Sequence, residues 1–248
     1  MAKQLLIYES VVPVTVTNHG KTSFDGDNSY EFSAGMNAVP LLAAEIFEAA
    51  SEYAVVFVAV GEDVMPAAIL GVKPEQNLFL TKDAHWEGRY IPSFLRRYPF
   101  VFSSSDDQKT LTLCIDETHP GFNTEDRGER LFTDEGKPTD YTNRVLDFLK
   151  AYQAQFEFSQ RFCKKLKELN LLEPLQAEVA TPSGEKVLLG DFQGVTRARL
   201  HTLSGEALAD LAKTDELELI YLHLASLRNF TAIKDRYVAS QAVPAAAE

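Results

Sequence analysis

The residues of this chain whose types and spacing could do chemistry fall in two short stretches. The first is Cys114-Ile115-Asp116-Glu117-Thr118-His119. Side chains alternate along a strand, so Cys114 and Asp116 share one face, and His119 follows just beyond the strand end. A thiolate, a carboxylate and an imidazole placed this way could converge on a divalent metal, or cysteine and histidine could form a nucleophile pair. A usual metal site needs a further protein ligand, and the sequence places none. A buried strand cysteine followed by a solvated turn is the simpler reading, so no metal and no cofactor are assigned.

The second stretch runs from His85 to Phe100. It holds the only tryptophan, Trp86, with Tyr90, Phe94, Tyr98, Phe100 and three arginines. Aromatic rings bury large areas while arginines keep polar contacts, a combination enriched at recognition surfaces. Trp86, Arg89, Tyr90, Arg96 and Arg97 are therefore the candidate ligand- or partner-binding residues. The competing reading starts a short helix at Pro92 and sends the aromatics into the core. Elsewhere the chemistry is thin. The chain has no Gly-x-x-x-x-Gly-Lys-Ser/Thr, Gly-x-Gly-x-x-Gly, His-Glu-x-x-His or Gly-x-Ser-x-Gly motif, which removes the common phosphate-loop, dinucleotide, zinc-peptidase and serine-hydrolase readings. His201 and His223 lie beside apolar runs and read as satisfied core or rim residues.

The elements that must position these stretches follow from periodicity. Residues 4–17 alternate as a strand with an irregularity at Pro13. Pro40 to Tyr53 has a helical pattern with Leu42, Ile46, Phe47 and Ala50 on one face. Val55 to Val60 reads as a buried strand, with Ala67 to Val72 as its partner across a turn at Gly61 to Met65. A further strand is expected at Leu78 to Leu80. Tyr98 to Ser103 and Thr110 to Ile115 read as a hairpin around a polar loop. Residues 120–138 are highly charged and broken by Gly and Pro, the pattern of a surface connection. Then Val145, Leu149, Tyr152, Phe156, Phe162, Cys163, Leu166 and Leu169 recur at three- and four-residue steps, predicting a helix of roughly 30 residues, about 45 Å long. Thr139 or Asp140 caps its start, and Asn170 and Pro174 mark its end. Pro182-Ser183-Gly184 is a turn, and Lys186 to Leu189 pairs with Phe192 to Val195 or joins the larger sheet. Ser204 caps a short helix, and Thr214 a longer one with Leu217, Ile220, Leu224 and Leu227 inward. The expected fold is α+β. A mixed or antiparallel N-terminal sheet with one helix packs against the long helix and C-terminal helices. The chain is expected to be one domain over residues 1–248. It divides into a sheet region at 1–119, the connection at 120–138, a mainly helical region at 139–238 and a frayed tail at 239–248.

Composition narrows the function classes. The 248 residues carry 24 Lys+Arg against 36 Asp+Glu, a net charge of -12, and 45% are hydrophobic. That apolar content builds a core, which excludes a disordered acidic tail. The charge is uneven. Residues 1–138 hold 21 acidic and 11 basic side chains, and residues 139–248 hold 15 and 13. Net acidity argues against nucleic acid and anionic membranes as partners. No window is apolar over the 18–20 residues of a membrane helix. The N-terminal apolar run is too short for a signal-peptide core, and Glu9 interrupts it. Two cysteines do not make a disulfide framework. A reduced, cytoplasmic protein is expected.

Several strings resemble the SapC-like bacterial proteins, a family named from a surface-layer-associated gene. They are Tyr8-Glu9-Ser10-Val11-Val12-Pro13, Pro40-Leu41-Leu42-Ala43-Ala44-Glu45, Ala68-Ile69-Leu70-Gly71, Asn77-Leu78-Phe79, Leu113-Cys114-Ile115-Asp116 and Tyr221-Leu222-His223-Leu224-Ala225-Ser226-Leu227. Gly128 to Gly136 and Phe148-Leu149 also match. The most specific is Tyr90-Ile91-Pro92-Ser93-Phe94-Leu95-Arg96-Arg97-Tyr98-Pro99-Phe100. The resemblance spans nearly the whole chain and implies a bacterial protein of poorly defined biochemical role. It supplies no catalytic residues. It implies gene neighbours that resemble flavin-dependent halogenases, cupins and outer-membrane nutrient receptors. The expected function is a cytoplasmic binding or accessory protein that recognises a peptide, protein or small ligand through Trp86 to Phe100. The alternatives are a metal- or oxygen-dependent enzyme acting with halogenase- or cupin-like partners, and an exported surface-layer component. The sequence leaves the oligomeric state open.

Overall fold

The computed structural model of the protein describes residues 7–104, 110–180 and 186–242. The chain forms two compact units, each built from two segments. One combines Met1–Ser29 with Phe94–Ala154, and the other combines Tyr30–Ser93 with Gln155–Glu248. Both are α+β, as the alternation of periods predicts.

In the first unit a three-stranded antiparallel sheet has Leu111–Asp116 between Val11–Pro13 and Phe100–Ser104. The expected hairpin is present, with Phe100 opposite Ile115 and Ser104 opposite Leu111. The first strand is shorter than its alternation suggested. Beyond Pro13 the chain turns, and the Thr15 hydroxyl accepts from the Asn18 N–H to cap a single helical turn at Val16–His19. A second small sheet places Ser23–Phe24 between Phe122–Asn123 and Glu129–Arg130. These last two strands lie inside the charged 120–138 stretch, which is therefore part of this unit and not a connection. Its charges point outward, while Leu131 and Phe132 are buried with Phe100, Ile115 and Leu149. Gly128 at φ 77 lets the turn between those strands approach the Phe24 carbonyl, where a Cβ would collide.

The second unit is built on a five-stranded antiparallel sheet. Its order is Leu172–Ala180, Lys186–Val195, Val55–Val60, Asp63–Ile69, Ala38–Pro40. Val55, Val56 and Phe57 are fully buried, as an uninterrupted apolar run requires of a strand covered on both faces. Its hairpin turn is tighter than expected. Val60 pairs with Asp63, so Gly61 and Glu62 alone make the turn, with Gly61 at φ 68. Leu78 to Leu80 is not a strand, but a turn that touches Trp86 through one bridge at Leu80. The expected helix from Pro40 to Tyr53 is confined to Ala43–Glu45 and Ile46–Ala49. Its inward stripe is Ile46, Ala49, Ala50 and Tyr53, so Phe47 falls outside it and is exposed.

The long helix is Asp140–Glu168. The Thr139 hydroxyl caps it by accepting from the Thr142 N–H. Leu149, Tyr152, Phe162, Cys163 and Leu166 are buried, on the predicted stripe. Asn170 at φ 53 follows its end. Pro174 lies in the next strand, at the sheet edge, where a missing N–H is tolerated. Leu172–Ala180 with Lys186–Val195 adds a long hairpin to a region read from sequence as mainly helical. The helices Gly205–Lys213, Glu216–Ser226 and Phe230–Ala242 complete the unit, with Ser204 capping the first as expected. The predicted turns at 105–109 and 182–184, residues 4–6 of the first strand and the tail from 243 lie outside the described residues. Among the described residues no helix is long and apolar enough to cross a membrane.

Candidate ligand-binding groove

The aromatic and arginine-rich segment from Trp86 to Phe100 divides between the two units after Ser93. Its first half closes on its own unit. The half-buried Trp86 stacks on Phe79 at 5.9 Å and 17°, with Tyr30 edge-on at 5.8 Å. Its indole N–H donates to the Tyr53 hydroxyl at 3.0 Å and the Tyr90 carbonyl at 3.2 Å. The Tyr53 hydroxyl in turn donates to the Tyr90 carbonyl. Burial, then the nearby Glu52 carboxylate, push that hydroxyl well above the ordinary tyrosine range. A Cβ at Gly88 would collide with both the Tyr53 hydroxyl and the indole nitrogen, so glycine is needed there. Glu52 accepts the backbone N–H groups of Arg89 and Tyr90, while the Arg89 side chain is exposed. The Tyr90 hydroxyl donates to Glu45 at 2.5 Å. That same Glu45 oxygen accepts from the Ser93 N–H at 2.6 Å and hydroxyl at 2.8 Å, and the other oxygen accepts from the Leu42 N–H at 2.8 Å.

The second half shapes an open groove of about 400 Å³ in the first unit. Its apolar surface comes from Phe24, Phe100, Val145, Phe148 and Leu149. Its polar surface comes from Arg96, Arg97, Arg144, Tyr98 and Tyr141. The short helix Ser93–Arg96 puts Arg96 outward and Arg97 inward. Each guanidinium lies over an aromatic face, where the ring quadrupole attracts a cation. Arg96 is 5.5 Å from the Phe148 centroid and Arg144 is 5.9 Å from that of Tyr141. Arg97, only 4% exposed, is 4.6 Å from the centroids of both Phe94 and Tyr152. Among the described residues no acidic side chain lines the groove. The sequence of this unit carries 14 acidic and 10 basic residues, and three of its ten cations line this groove, with the Asp116 carboxylate behind Tyr98 accepting from its hydroxyl at 3.4 Å.

The hydroxyls in the groove are donors and not bases. Burial first, then the neighbouring Asp116 carboxylate, push Tyr98 up to about 12. Burial and Glu129 push Tyr141 up to about 12, against the opposing effect of Arg144. Both phenols stay protonated near neutral pH.

The Cys114, Asp116 and His119 stretch is engaged differently. Asp116 is fully buried and accepts from the N–H groups of Glu9 at 2.8 Å and Ser10 at 3.0 Å, and from the Thr118 hydroxyl at 2.8 Å. Burial alone would raise its pKa; these hydrogen bonds outweigh it and hold the carboxyl below its usual value. The carboxylate ties the N-terminal strand to the hairpin. Burial raises the Cys114 thiol, which leaves it a poor nucleophile. The His119 Nδ1 accepts from the Gly121 N–H at 3.0 Å, and burial lowers its pKa. Among the described residues no three His, Cys, Asp or Glu side chains are grouped to hold a metal ion.

The SapC family profile matches residues 14–233 of the chain. The chain belongs to the SapC family. No curated protein and no solved structure matches it. In this SapC protein the groove draws on residues that sequence reasoning did not single out: Phe24, Tyr141, Arg144 and Phe148. The signal was present for three of them. Tyr141, Arg144, Val145 and Phe148 recur at three- and four-residue steps, one face of the first two turns of the long helix. Phe24 reaches the groove through strand pairing with Phe122 and Glu129, far along the chain, which no local pattern shows.

Proposed function

We propose that this SapC protein is a cytoplasmic binding or accessory protein, and that the groove of its first unit takes a small organic ligand. The observation that carries the reading is the convergence of Arg96, Arg97 and Arg144 with five aromatic rings on one open groove. Its volume lies within the roughly 300–1,000 Å³ typical of small-molecule sites. Nothing in the groove is a poised base or nucleophile, which favours binding over catalysis. The two cysteines are buried free thiols, which suits a reducing compartment.

The test is a thermal-shift screen of the full chain against small organic acids, amines and neutral compounds, repeated on Phe148→Ala. Compounds that raise Tm in the parent and not in the variant support the groove. Compounds that stabilise both equally move the site elsewhere and overturn the reading. Fractionation that recovers the protein outside the cytoplasm would overturn the placement in the cell.

A further inference from the structure

We propose that His119 is a pH-sensitive prop of the groove, which holds the Phe24 wall in place while neutral and releases it when protonated. The switch rests on the geometry around one imidazole, and its bearing on a ligand rests on the groove being the binding site. His119 does not line the groove itself but packs on two rings that do. Its ring centroid is 5.3 Å from those of both Phe24 and Tyr98, and 6.1 Å from that of Phe122.

The imidazole is committed to one protonation state. A neutral imidazole has one acceptor nitrogen and one donor, whereas an imidazolium has two donors and no acceptor. Nδ1 is the acceptor here, because the Gly121 N–H points at it at 3.0 Å. The Gly121 carbonyl accepts from the Asp25 N–H at 2.9 Å, so this glycine ties the imidazole to the strand that carries Phe24. It is also wedged in place. A Cβ on Gly121 would stand 3.0 Å from His119 Nδ1, 3.0 Å from a Phe24 ring carbon and 2.7 Å from the Asp25 carbonyl oxygen. A proton on Nδ1 sets two N–H groups against each other. Gly121 must then withdraw, and it has no room to do so without displacing the Phe24 ring.

The surrounding charges set the direction of the switch. Burial holds His119 below its ordinary pKa, against the pull of Asp27, from the segment after Ser23–Phe24, and of Asp116, from the hairpin. Those two carboxylates are what attract the ring once it is charged. The other titratable groups of the neighbouring segments are engaged: Asp25 faces Arg127 at 4.0 Å, Glu117 accepts from the Ser10 hydroxyl at 3.0 Å, and the protonated Tyr98 hydroxyl donates to Asp116 at 3.4 Å. The propped state is therefore the resting one near neutral pH, and weak acid populates the released one.

NMR of the full chain, labelled with heavy nitrogen and para-fluorophenylalanine, tests this from about pH 8 to about pH 5, with the Phe24 fluorine assigned by Phe24→Leu. The Gly121 amide proton and the Phe24 fluorine should shift together, with one midpoint below the ordinary histidine value of about 6.5. Neither should shift in His119→Asn, because an asparagine oxygen accepts the N–H two residues on, as in an Asx turn, and does not titrate. His119→Ala removes the acceptor without adding a proton, so its Phe24 fluorine should already be displaced from the parent position at the alkaline end. A Gly121 amide that titrates while Phe24 stays still would cut the link to the groove and overturn the proposal, as would a Phe24 shift that survives in His119→Asn. An unmoved Phe24 in His119→Ala would overturn it too, even if the parent unfolded before its histidine titrated. None of these readouts needs a ligand, so the two readings fail separately: a still Phe24 leaves the groove standing, and a failed ligand screen leaves the His119 switch standing.

Discussion

Trp86 to Ser93 and Phe94 to Phe100 are consecutive pieces of one segment with the same composition, rich in rings and arginines, yet their polar atoms meet different partners. In the first piece the indole N–H, the Tyr90 hydroxyl and the backbone N–H groups of Arg89, Tyr90 and Ser93 all find acceptors within their own unit. The result is a closed strap. In the second piece Arg96 and Arg97 lie over ring faces beside an open groove. An aromatic–arginine composition therefore does not by itself mark a recognition surface. What separates the two is where the side chains lie, folded into a closed strap or lining a concavity.

Five perturbations probe that difference, and their stability effects should fall in order. Glu45→Ala removes the acceptor of four donors in the strap and should cost about 4 kcal/mol in denaturant unfolding, since each buried donor left unsatisfied costs about 1–3 kcal/mol. A loss under about 1 kcal/mol would show that the strap does not depend on this carboxylate. His223→Ala comes next, at about 3 kcal/mol. The fully buried ring joins two strands of the same unit, with Nδ1 donating to the Val55 carbonyl at 2.9 Å and Nε2 accepting from the Val195 N–H at 3.0 Å. Gly194 is needed beside it, because a Cβ there would crowd the imidazole and collide with Leu175.

Burial pushes His223 down to about 4. Between pH 6.5 and 4 the unfolded chain therefore binds a proton that the folded chain does not. Stability should be full above pH 6.5 and fall by about 3 kcal/mol as pH drops to 4. Urea melts across that range should show this slope in the parent and lose it in His223→Gln; the same slope in both would reject the assignment.

Asp116→Ala, in the first unit, should cost about 2 kcal/mol by freeing the N–H groups of Glu9 and Ser10. Because the folded carboxyl sits below its usual value, its contribution is present above the unfolded pKa and lost as pH falls through the folded one. Asp116→Asn should flatten only that acid limb in equilibrium unfolding. Trp86→Phe keeps the ring contact with Phe79 and loses the indole donor. A cost of about 1 kcal/mol is expected in thermal melts, with groove binding unchanged. Weaker ligand binding in Trp86→Phe would erase the contrast between the two pieces. Arg144→Glu should move stability by less than about 0.5 kcal/mol, yet it should weaken ligand binding in the groove. A large loss of stability instead would make the guanidinium part of the scaffold.

Local periodicity made much of the scaffold legible. The long helix, the Val55–Val60 strand and the Phe100–Ser104 and Leu111–Asp116 hairpin are each marked by runs of apolar residues at one repeat. The helix Glu216–Ser226 was misjudged because it is apolar nearly all round. Its buried stripe is Glu216, Ile220, His223 and Ser226, not the leucines. A polar side chain joins a core when a specific donor or acceptor awaits it, and that partner is set by strands far away in sequence. The Ser226 hydroxyl accepting from the Val55 N–H is such a case. The 120–138 stretch was misjudged for the opposite reason: its charges hid Leu131 and Phe132, whose burial depends on pairing with Ser23–Phe24.

The sequence by itself determined the α+β class, the long helix, the family strings and the presence of arginines among aromatics at Arg89, Arg96 and Arg97. All of these are local, written in the spacing of neighbours along the chain. Only the tertiary structure decided that the aromatic segment is shared between two units. It alone assigned Trp86 and Tyr90 to a closed strap, Asp116 to an N-terminal tether, and Arg96 and Arg97 to a groove completed by Phe24 and Arg144. Those outcomes depend on long-range pairing, because a hydrogen bond or a ring contact is a property of two residues and the sequence lists each of them alone.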